Sequence, residues 1–265
     1  MKLSRIVFMP VVAAAALMVQ CPEAGAWGRE GHETIAKLAE LNLNKSTKKK
    51  VEKYLGGHSI VYVAKWMDEV RKTPEYRYTD KWHTSNVDEN LEYAPRENGD
   101  AVYGIETALK TLENYKNLPD SVVALNIRIL THLIGDMHCP SHVNYVDKKL
   151  NYDVQIEDPN HFYVKYSGHA MWDMGFIRSF RFMCASEWAA ELNKVLSKED
   201  KKAMAAGTPR EWLHDNAVRC LAQFDIAHPD EKLSAAVSPI AMPLIEAEIS
   251  YAGIRLAGVL NTIFK

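Results

Sequence analysis

The segment THLIGDMHCPSH, residues 131–142, joins an apolar helical pattern to several side chains of metal-binding type. His132 and Asp136 are four residues apart, so on a helix they project from one face, one turn apart, and can share a metal ion. Pro140 disfavours helix at the residue before it, which predicts that the helix ends there and that His142 turns back across its end. A polar surface helix that ends in a loop would carry the same residue types, so this segment alone leaves metal binding open.

Helical periodicity extends from this segment along most of the chain. Proline stands at or just before the start of several periodic stretches, at residues 119, 209 and 239, which is the position it favours in helices. Between Pro140 and Gly168 the pattern is irregular, apart from one alternating segment at residues 162–166 that indicates a short β-hairpin. We predict an all-α fold, a single mostly helical domain with one long irregular loop. The periodic stretches are residues 32–42, 47–55, 60–71, 101–116, 120–137, 170–194, 197–206, 208–224 and 239–263.

The first 26 residues have the three parts of a secretory signal peptide. Lys2 and Arg5 precede a largely apolar run over residues 6–19, and an A-x-A pattern follows at residues 24–26. The apolar run is shorter than the roughly 20 residues that a membrane-spanning helix needs. We therefore predict a signal peptide over residues 1–26, cleavage before Trp27, one helical domain over residues 27–265, and a secreted or periplasmic protein without a membrane anchor.

Charge and cysteine content argue against two common classes of protein, basic nucleic-acid binders and cysteine-rich domains. The chain has a formal net charge of −2, so it cannot attract nucleic acid through a broadly basic surface, and a phosphate-bearing partner would need a local positive centre such as metal ions. Its four cysteines form no C-x-x-C pair, so the sequence shows no obvious cysteine-based zinc site and no dense disulfide framework. A single disulfide between Cys184 and Cys220 stays open at this point.

Further metal-binding side chains stand elsewhere in the chain. His169 and Asp173 repeat the four-residue spacing of His132 and Asp136. Imidazole nitrogen together with carboxylate oxygen suits zinc, and the lack of thiolate ligands indicates catalytic rather than structural sites. Asp68 in KWMDEVR and His83 in KWHTSNVD are further candidates, although each residue taken alone is ordinary for a surface position.

Taken in order, these motifs resemble the S1/P1 nuclease family, a family of single-strand-specific nucleases with three zinc ions. The shared motifs are W-x4-H from Trp27, W-x-D-E-x-R around Asp68, W-H at His83, H-x-x-G-D-x-H-x-P-x-H from His132, and HAMWD from His169. The resemblance extends from Trp27 to the C-terminal helical stretch, so it covers essentially the whole mature chain.

The resemblance implies a set of zinc ligands and of catalytic side chains. Arg71 is expected to face the phosphate and to act with Asp68 and Asp136 as the catalytic group. Trp27 is expected to bind through its free α-amino nitrogen and its carbonyl oxygen, so that signal cleavage completes the site. The implied ligands of the first zinc ion are Asp68, His83, His132 and Asp136. Those of the second are Trp27, His32 and the bridging Asp136, and those of the third are His142, His169 and Asp173.

The activity implied is hydrolysis of single-stranded DNA or RNA and of 3′-nucleotides to 5′-phosphate products, by attack of a hydroxide that bridges two zinc ions. No stable protein partner is implied, and we expect a monomer. Two alternatives stay open: a zinc-dependent phospholipase C of the same fold, and a non-catalytic periplasmic nucleotide- or metal-binding relative. The short W-x4-H spacing and Asp173, where the phospholipase pattern has glutamate, favour the nuclease.

The expected substrate-binding residues depart from the family pattern. Thr84 stands where the family has an aromatic side chain that stacks on the base, Asn86 stands where a base-reading polar residue is expected, and Asn160 follows Asp158-Pro159 in place of two glycines. Base preference is therefore open. A stacking role for an aromatic residue of the long loop, and a ligand-orienting role for His138 or His161, also stay open. The aromatic candidates are Tyr145, Tyr152, Phe162 and Tyr163.

Overall fold

The structure is a computed structural model that describes residues 27–265, so the predicted signal peptide lies outside the described residues. Helices form most of the described chain, which confirms the predicted fold class. A π-helical turn, Met171–Gly175, connects α6 to α7 without a break. The helices are α1 Arg29–Leu41, α2 Lys45–Tyr54, α3 Trp66–Val70, α4 Ala101–Leu112, α5 Asp120–Met137, α6 Gly168–Ala170, α7 Phe176–Phe180, α8 Ala185–Val195, α9 Lys198–Met204, α10 Pro209–Cys220, α11 Gln223–Ile226 and α12 Ser238–Ile263.

Helices α5 and α12 occupy the interior, and the other long helices pack around them. Helix α12 contacts α1, α5, α7 and α10, while α5 contacts α1 to α4. Both helices are apolar around most of their circumference, as expected of helices buried on all sides. The last two turns of α5 are buried at every position from Ile129 to Met137. Polar side chains in this stretch therefore face protein rather than solvent.

Two small sheets accompany the helices. Strands β1 (Ser85–Asn86) and β2 (Val143–Asn144) pair in parallel, with Ser85 opposite Val143 and Asn86 opposite Asn144. Strands β3 (Asp153–Glu157) and β4 (Tyr163–Ser167) form an antiparallel hairpin, which confirms the predicted hairpin, and β5 (Lys232–Leu233) adds to β3 in parallel. The first sheet joins two loops that each follow a candidate ligand, His83 and His142.

Some of the predicted helices are wrong in extent. The stretch 60–71 is helical only over α3, and the stretch 170–194 is interrupted at residues 181–184, between α7 and α8. The second helix starts there because Cys184 serves as its N-cap and the Glu187 carboxylate accepts a hydrogen bond from the Cys184 amide at 3.0 Å. The stretches 101–116 and 208–224 likewise end their main helices at Leu112 and Cys220.

Cysteine pairing and membrane spanning can also be settled for the described residues. Cys139, Cys184 and Cys220 are all free, so the Cys184–Cys220 disulfide is wrong: Cys184 is exposed, whereas Cys220 is buried and donates to Asn216 Oδ1 at 2.9 Å. Within residues 27–265, no helix combines the length and the apolar character required to cross a bilayer.

Candidate metal centre

The buried end of α5 carries the central pair of candidate ligands. His132 and Asp136 are both fully buried, one helical turn apart, and the His132 Nε2 atom lies 3.2 Å from Asp136 Oδ2. Asp68 on α3 and His83, which precedes β1, approach the same point from outside the helix. Four side chains from three separate segments thus place their polar atoms together at one face of α5.

The distances within this group match the geometry of a zinc site. With zinc–ligand bonds of about 2.0–2.1 Å, the atoms at the corners of a tetrahedron lie roughly 3.3 Å apart. Here His132 Nε2 lies 3.1 Å from His83 Nδ1, and Asp136 Oδ2 lies 2.8 Å from that same nitrogen. Asp68 Oδ1 lies 3.6 Å from each of the two imidazole nitrogens. These four side chains could therefore hold one ion without rearrangement.

Unpartnered polar atoms provide an independent test of the fit. Buried polar groups in proteins normally have a hydrogen-bond partner, and leaving one without a partner costs free energy. Here several ligand candidates keep buried nitrogen or oxygen atoms without one, a pattern that a bound cation explains. The atoms are His32 Nε2, Asp68 Oδ1 and Oδ2, Asp136 Oδ1, His142 Nε2 and Asp173 Oδ2.

Backbone carbonyls orient the imidazole rings. His132 Nδ1 donates to the Ala64 carbonyl at 2.8 Å, which turns its Nε2 towards the other candidate ligands. His142 Nδ1 donates to the carbonyl of His83 at 2.6 Å, and in the same way leaves Nε2 free. Metal-binding histidines usually donate their second ring N–H to a carbonyl or carboxylate, which fixes the ring and its tautomer.

Asp136 faces two different groups of histidines with its two oxygens. Oδ2 lies against His83 and His132, whereas Oδ1 lies 3.2 Å from His32 Nε2 on α1. Gly135 allows this approach, because a Cβ atom there would lie 3.0 Å from His32 Nδ1. A carboxylate placed in this way can bridge two ions.

Trp27 lies at the entrance of α1, beside His32. Its side chain is fully buried, and Gly31 makes room for it, since a Cβ atom at residue 31 would lie 3.0 Å from Trp27 Cβ. The next amide, of Gly28, donates to the carbonyl of Asp173 at 2.8 Å. The start of the described chain is therefore attached to the segment that carries the third group of candidate ligands.

That third group comprises His142, His169 and Asp173, with Cys139 beside them. His142 Nε2 lies 3.9 Å from Asp173 Oδ1, and the rings of His142 and His169 stack with their centroids 4.9 Å apart. Asp173 lies in the π-helical turn, a distortion of the helix that is frequent at functional sites. Cys139 Sγ lies 3.8 Å from Asp173 Oδ1 and forms a potential metal-binding group with His142 and Asp173. Its position between Asp136 and His142 was the only signal for it in the sequence.

Burial and the charges of neighbouring side chains strongly shift the pKa values of the residues in this site. Burial would lower the pKa of His132, but the carboxylates of Asp136 and Asp68 outweigh it and raise that pKa to about 10. Burial would raise the pKa of both carboxyls, but His132 outweighs it and holds them well below their usual range. Burial also raises the pKa of Asp173, reinforced by the charges of Asp136 and Asp68, and it lowers the pKa of His142 to about 3. A neutral His142 is the form that binds metal, and an ionised Asp173 needs a cation beside it.

A cavity of about 220 Å³ opens onto these groups, and its wall is polar and largely cationic. Arg71 lies 3.9 Å from Asp68 Oδ1 and 3.9 Å from Asp80 Oδ1, distances that leave its N–H groups available to a ligand. Lys81 and Arg96 line the same cavity, and neither was identified from the sequence. The cavity is thus suited to a phosphate group beside the ligand cluster.

The predicted substrate residues separate into two places. Thr84 lines the cavity, where its carbonyl and Oγ1 accept from Arg96. Asn144 Nδ2 donates to Thr84 Oγ1 and to Asn86 Oδ1, at 3.1 Å each, so these side chains form one polar network. Asn160 lies instead in the exposed turn of the β3–β4 hairpin, at the opposite end of β4 from His169, and the structure does not bring it to the cluster. Arg96 and Asn144 were missed because their contacts join distant segments.

The contacts of the two ligand-orienting candidates and of the four base-stacking candidates differ from one residue to the next. His138 is buried, donates to the Ile134 carbonyl and contacts Arg255, whereas His161 is exposed and pairs with Glu157. Of the aromatic candidates for base stacking, Tyr145 and Tyr152 donate their hydroxyls to the backbone of Ala217 and Ala227. Phe162 and Tyr163 are exposed on the hairpin.

Comparison with known proteins adds an independent line of support. The sequence is 25% identical to Endonuclease 5 of Arabidopsis thaliana over 273 residues, which cover 90% of each chain. It is 24% identical to Nuclease P1 of Penicillium citrinum over 276 residues, covering 89% of this chain and 97% of that one. It is 29% identical to Nuclease S1 of Aspergillus oryzae over 143 residues, about half of each chain. The family model for S1/P1 nucleases also matches residues 27–265 of the chain. The chain therefore belongs to the S1/P1 nuclease family, hydrolases that act on phosphoric ester bonds.

Proposed function

We propose that the chain is a zinc-dependent phosphodiesterase that cleaves single-stranded DNA or RNA and 3′-nucleotides, releasing products with 5′-phosphates. The observation that carries this proposal is a buried cluster of histidines and carboxylates, with atom separations suited to zinc, at the base of a cationic cavity. The closeness of the ligand cluster to the cations Arg71, Lys81 and Arg96 supports a substrate that carries a phosphoric ester.

We propose three zinc ions per chain. One would be held by the group around His132, a second by His32 with Trp27, and a third by the group around His142. The two oxygens of Asp136, directed at different histidines, support its role as the bridge between the first two ions. Bound zinc would supply a water of lowered pKa and a Lewis acid next to the phosphorus.

The side chains of the chain have separate tasks in this scheme. Arg71, held between Asp68 and Asp80, would donate to phosphate oxygens and neutralise negative charge as the ester bond breaks. Lys81 and Arg96 would attract and hold the substrate in the cavity. The network of Thr84, Asn86 and Asn144 would contact the nucleoside part through hydrogen bonds, because it offers amide and hydroxyl groups rather than a stacking surface.

The cavity favours the nuclease over a phospholipase C. A phospholipid substrate requires apolar surface for its acyl chains. The side chains around this cavity are instead charged or polar, namely Arg71, Asp80, Lys81, His83, Thr84, Arg96, His142 and His169.

One assay separates the proposals. Purified mature protein is incubated with single-stranded DNA, RNA, 3′-AMP and phosphatidylcholine, with and without a chelator, and the zinc content is measured on the same sample. We expect chelator-sensitive hydrolysis of the three nucleotide substrates. Release of phosphocholine alone would identify a phospholipase, and a zinc-loaded protein that turns over no substrate would identify a binding protein.

We also propose that the protein is exported and cleaved before Trp27. Cleavage at that bond creates the α-amino group that would join His32 on the second ion, since an amide nitrogen is a poor zinc ligand. Mass spectrometry of protein exported by the cell tests this directly, and a mature chain that starts at another residue would contradict it.

A further inference from the structure

A second cavity, of about 380 Å³, lies beside the one that opens onto the ligand cluster. It is formed by the start of α1, by α3 and the residues that follow it, and by the π-helical turn with α7. Gly28 and Met174 line it together with charged residues. None of its cationic side chains except Arg71 belongs to the motifs that identify the family.

The charges around this cavity are predominantly positive. Lys65 and Arg178 are notable because neither forms an ion pair with a carboxylate of residues 27–265, although Lys65 is half-buried. Of the three carboxylates, Asp68 is a proposed zinc ligand, so its charge would be taken up by the ion. The cations are Arg29, Lys65, Arg71, Lys72 and Arg178, and the carboxylates are Glu30, Asp68 and Glu69.

Arg71 connects this cavity to the first one. It lines both cavities, so the phosphate position at the ligand cluster and the position near Lys65 and Arg178 meet at one shared side chain. A molecule that passes over Arg71 would place one anionic group in each cavity. A mononucleotide with a single phosphate cannot occupy both.

We propose that this second cavity binds the phosphodiester next to the scissile one in a single-stranded oligonucleotide, through Lys65 and Arg178. This inference rests on the proposed nuclease function and extends it: the preferred substrate is a chain of nucleotides rather than a 3′-mononucleotide. It also accounts for nucleic-acid binding by a chain whose net charge is slightly negative, since the positive charge is concentrated along one path.

The test compares a short oligothymidylate with thymidine 3′-monophosphate as substrates of the zinc-loaded enzyme. Lys65→Met and Arg178→Met each remove one cation from the cavity. Lys110→Met is the matched control, because Lys110 is an exposed lysine on α4 that lines neither cavity and pairs with Glu113. Zinc content and melting temperature are measured for every variant, so that a folding or metal defect is recognised.

We expect each cavity variant to lower the ratio of kcat/KM for the oligonucleotide to kcat/KM for the mononucleotide by about tenfold, the loss of one charge-assisted contact. The slope of log affinity for the oligonucleotide against log salt should become shallower by about 0.7 for each cation removed. Lys65→Arg should retain most of the wild-type ratio, and Lys110→Met should retain all of it.

Two results would overturn the inference. A wild-type ratio in both Lys65→Met and Arg178→Met, with an unchanged salt slope, would show that the cavity does not contact substrate, while leaving the nuclease function intact. A wild-type enzyme that hydrolyses neither substrate would overturn the proposed function and this inference with it.

Discussion

Replacement of Asp136 by asparagine tests the shared carboxylate. Asp136 Oδ2 lies 2.8 Å from His83 Nδ1 and 3.2 Å from His132 Nε2, and Oδ1 lies 3.2 Å from His32 Nε2. Asparagine has nearly the same shape, but it offers a single neutral oxygen in place of two charged ones. Two of the three proposed ions depend on this carboxylate, so the zinc content of Asp136→Asn should fall from about three to about one per chain.

Asp173→Asn provides the matched comparison. The Asp173 carboxylate lies in the third group, with Oδ1 3.9 Å from His142 Nε2, so this variant should lose one ion and keep the pair around Asp136. Removing one electrostatic group from an active site lowers kcat by roughly a hundredfold to a thousandfold, and Asp136→Asn, which disturbs two ions, should reach at least that range.

Zinc is measured by elemental analysis after dialysis, together with circular dichroism to show that both variants are folded. Equal zinc losses in the two variants would contradict the bridging role of Asp136. Full zinc content and activity in Asp136→Asn would refute the assignment of the centre as a whole.

Three further predictions follow from the same geometry. A protein that keeps one extra residue before Trp27 should bind less zinc than the mature form, because the α-amino ligand becomes an amide; equal zinc content in the two proteins would argue against that ligand. In chelator-treated protein, protonated His132 stabilises the fold because its pKa is about 10 in the folded protein, against 6.5 in the unfolded chain. This contribution is complete below pH 6.5 and disappears as the pH rises through about 10. The difference in unfolding free energy between wild type and His132→Gln, measured by urea denaturation, should therefore shrink from pH 6.5 to pH 10, and a constant difference would be inconsistent with it. Gly135→Ala should cost about 1–3 kcal/mol of stability and reduce zinc binding, because the new Cβ would lie 3.0 Å from His32 Nδ1; unchanged melting temperature and zinc content would show that His32 adapts freely.

Local sequence patterns predicted the parts of the site that lie on single helices. The spacing of His132 and Asp136, and of His169 and Asp173, was enough to place each pair on one face, and the structure shows each pair on a continuous helical segment. The approach of His83 to α5 was not predictable in this way. It depends on contacts between distant segments, including the pairing of β1 with β2, and no local spacing encodes such contacts.

The errors also have physical causes. Apolar periodicity continued through residues 181–184, but the structure starts a new helix at Ala185 because Cys184 and Glu187 form a capping box, and cysteine is not a usual N-cap residue. Lys65 and Arg178 were not identified from the sequence because they are isolated cations more than a hundred residues apart. Only the folded chain places them in one cavity.

The two-residue pairing of β1 with β2 separates the position of the backbone beside His83 and His142 from the choice of side chains on the same loops. Backbone hydrogen bonding sets the positions of the loops that follow His83 and His142, whatever side chains those loops carry. If these side chains contact the nucleotide as we propose, substitutions at Thr84, Asn86 and Asn144 would alter nucleotide recognition with little effect on the proposed metal ligands. On that proposal, related enzymes could acquire new base preferences while the metal centre is maintained.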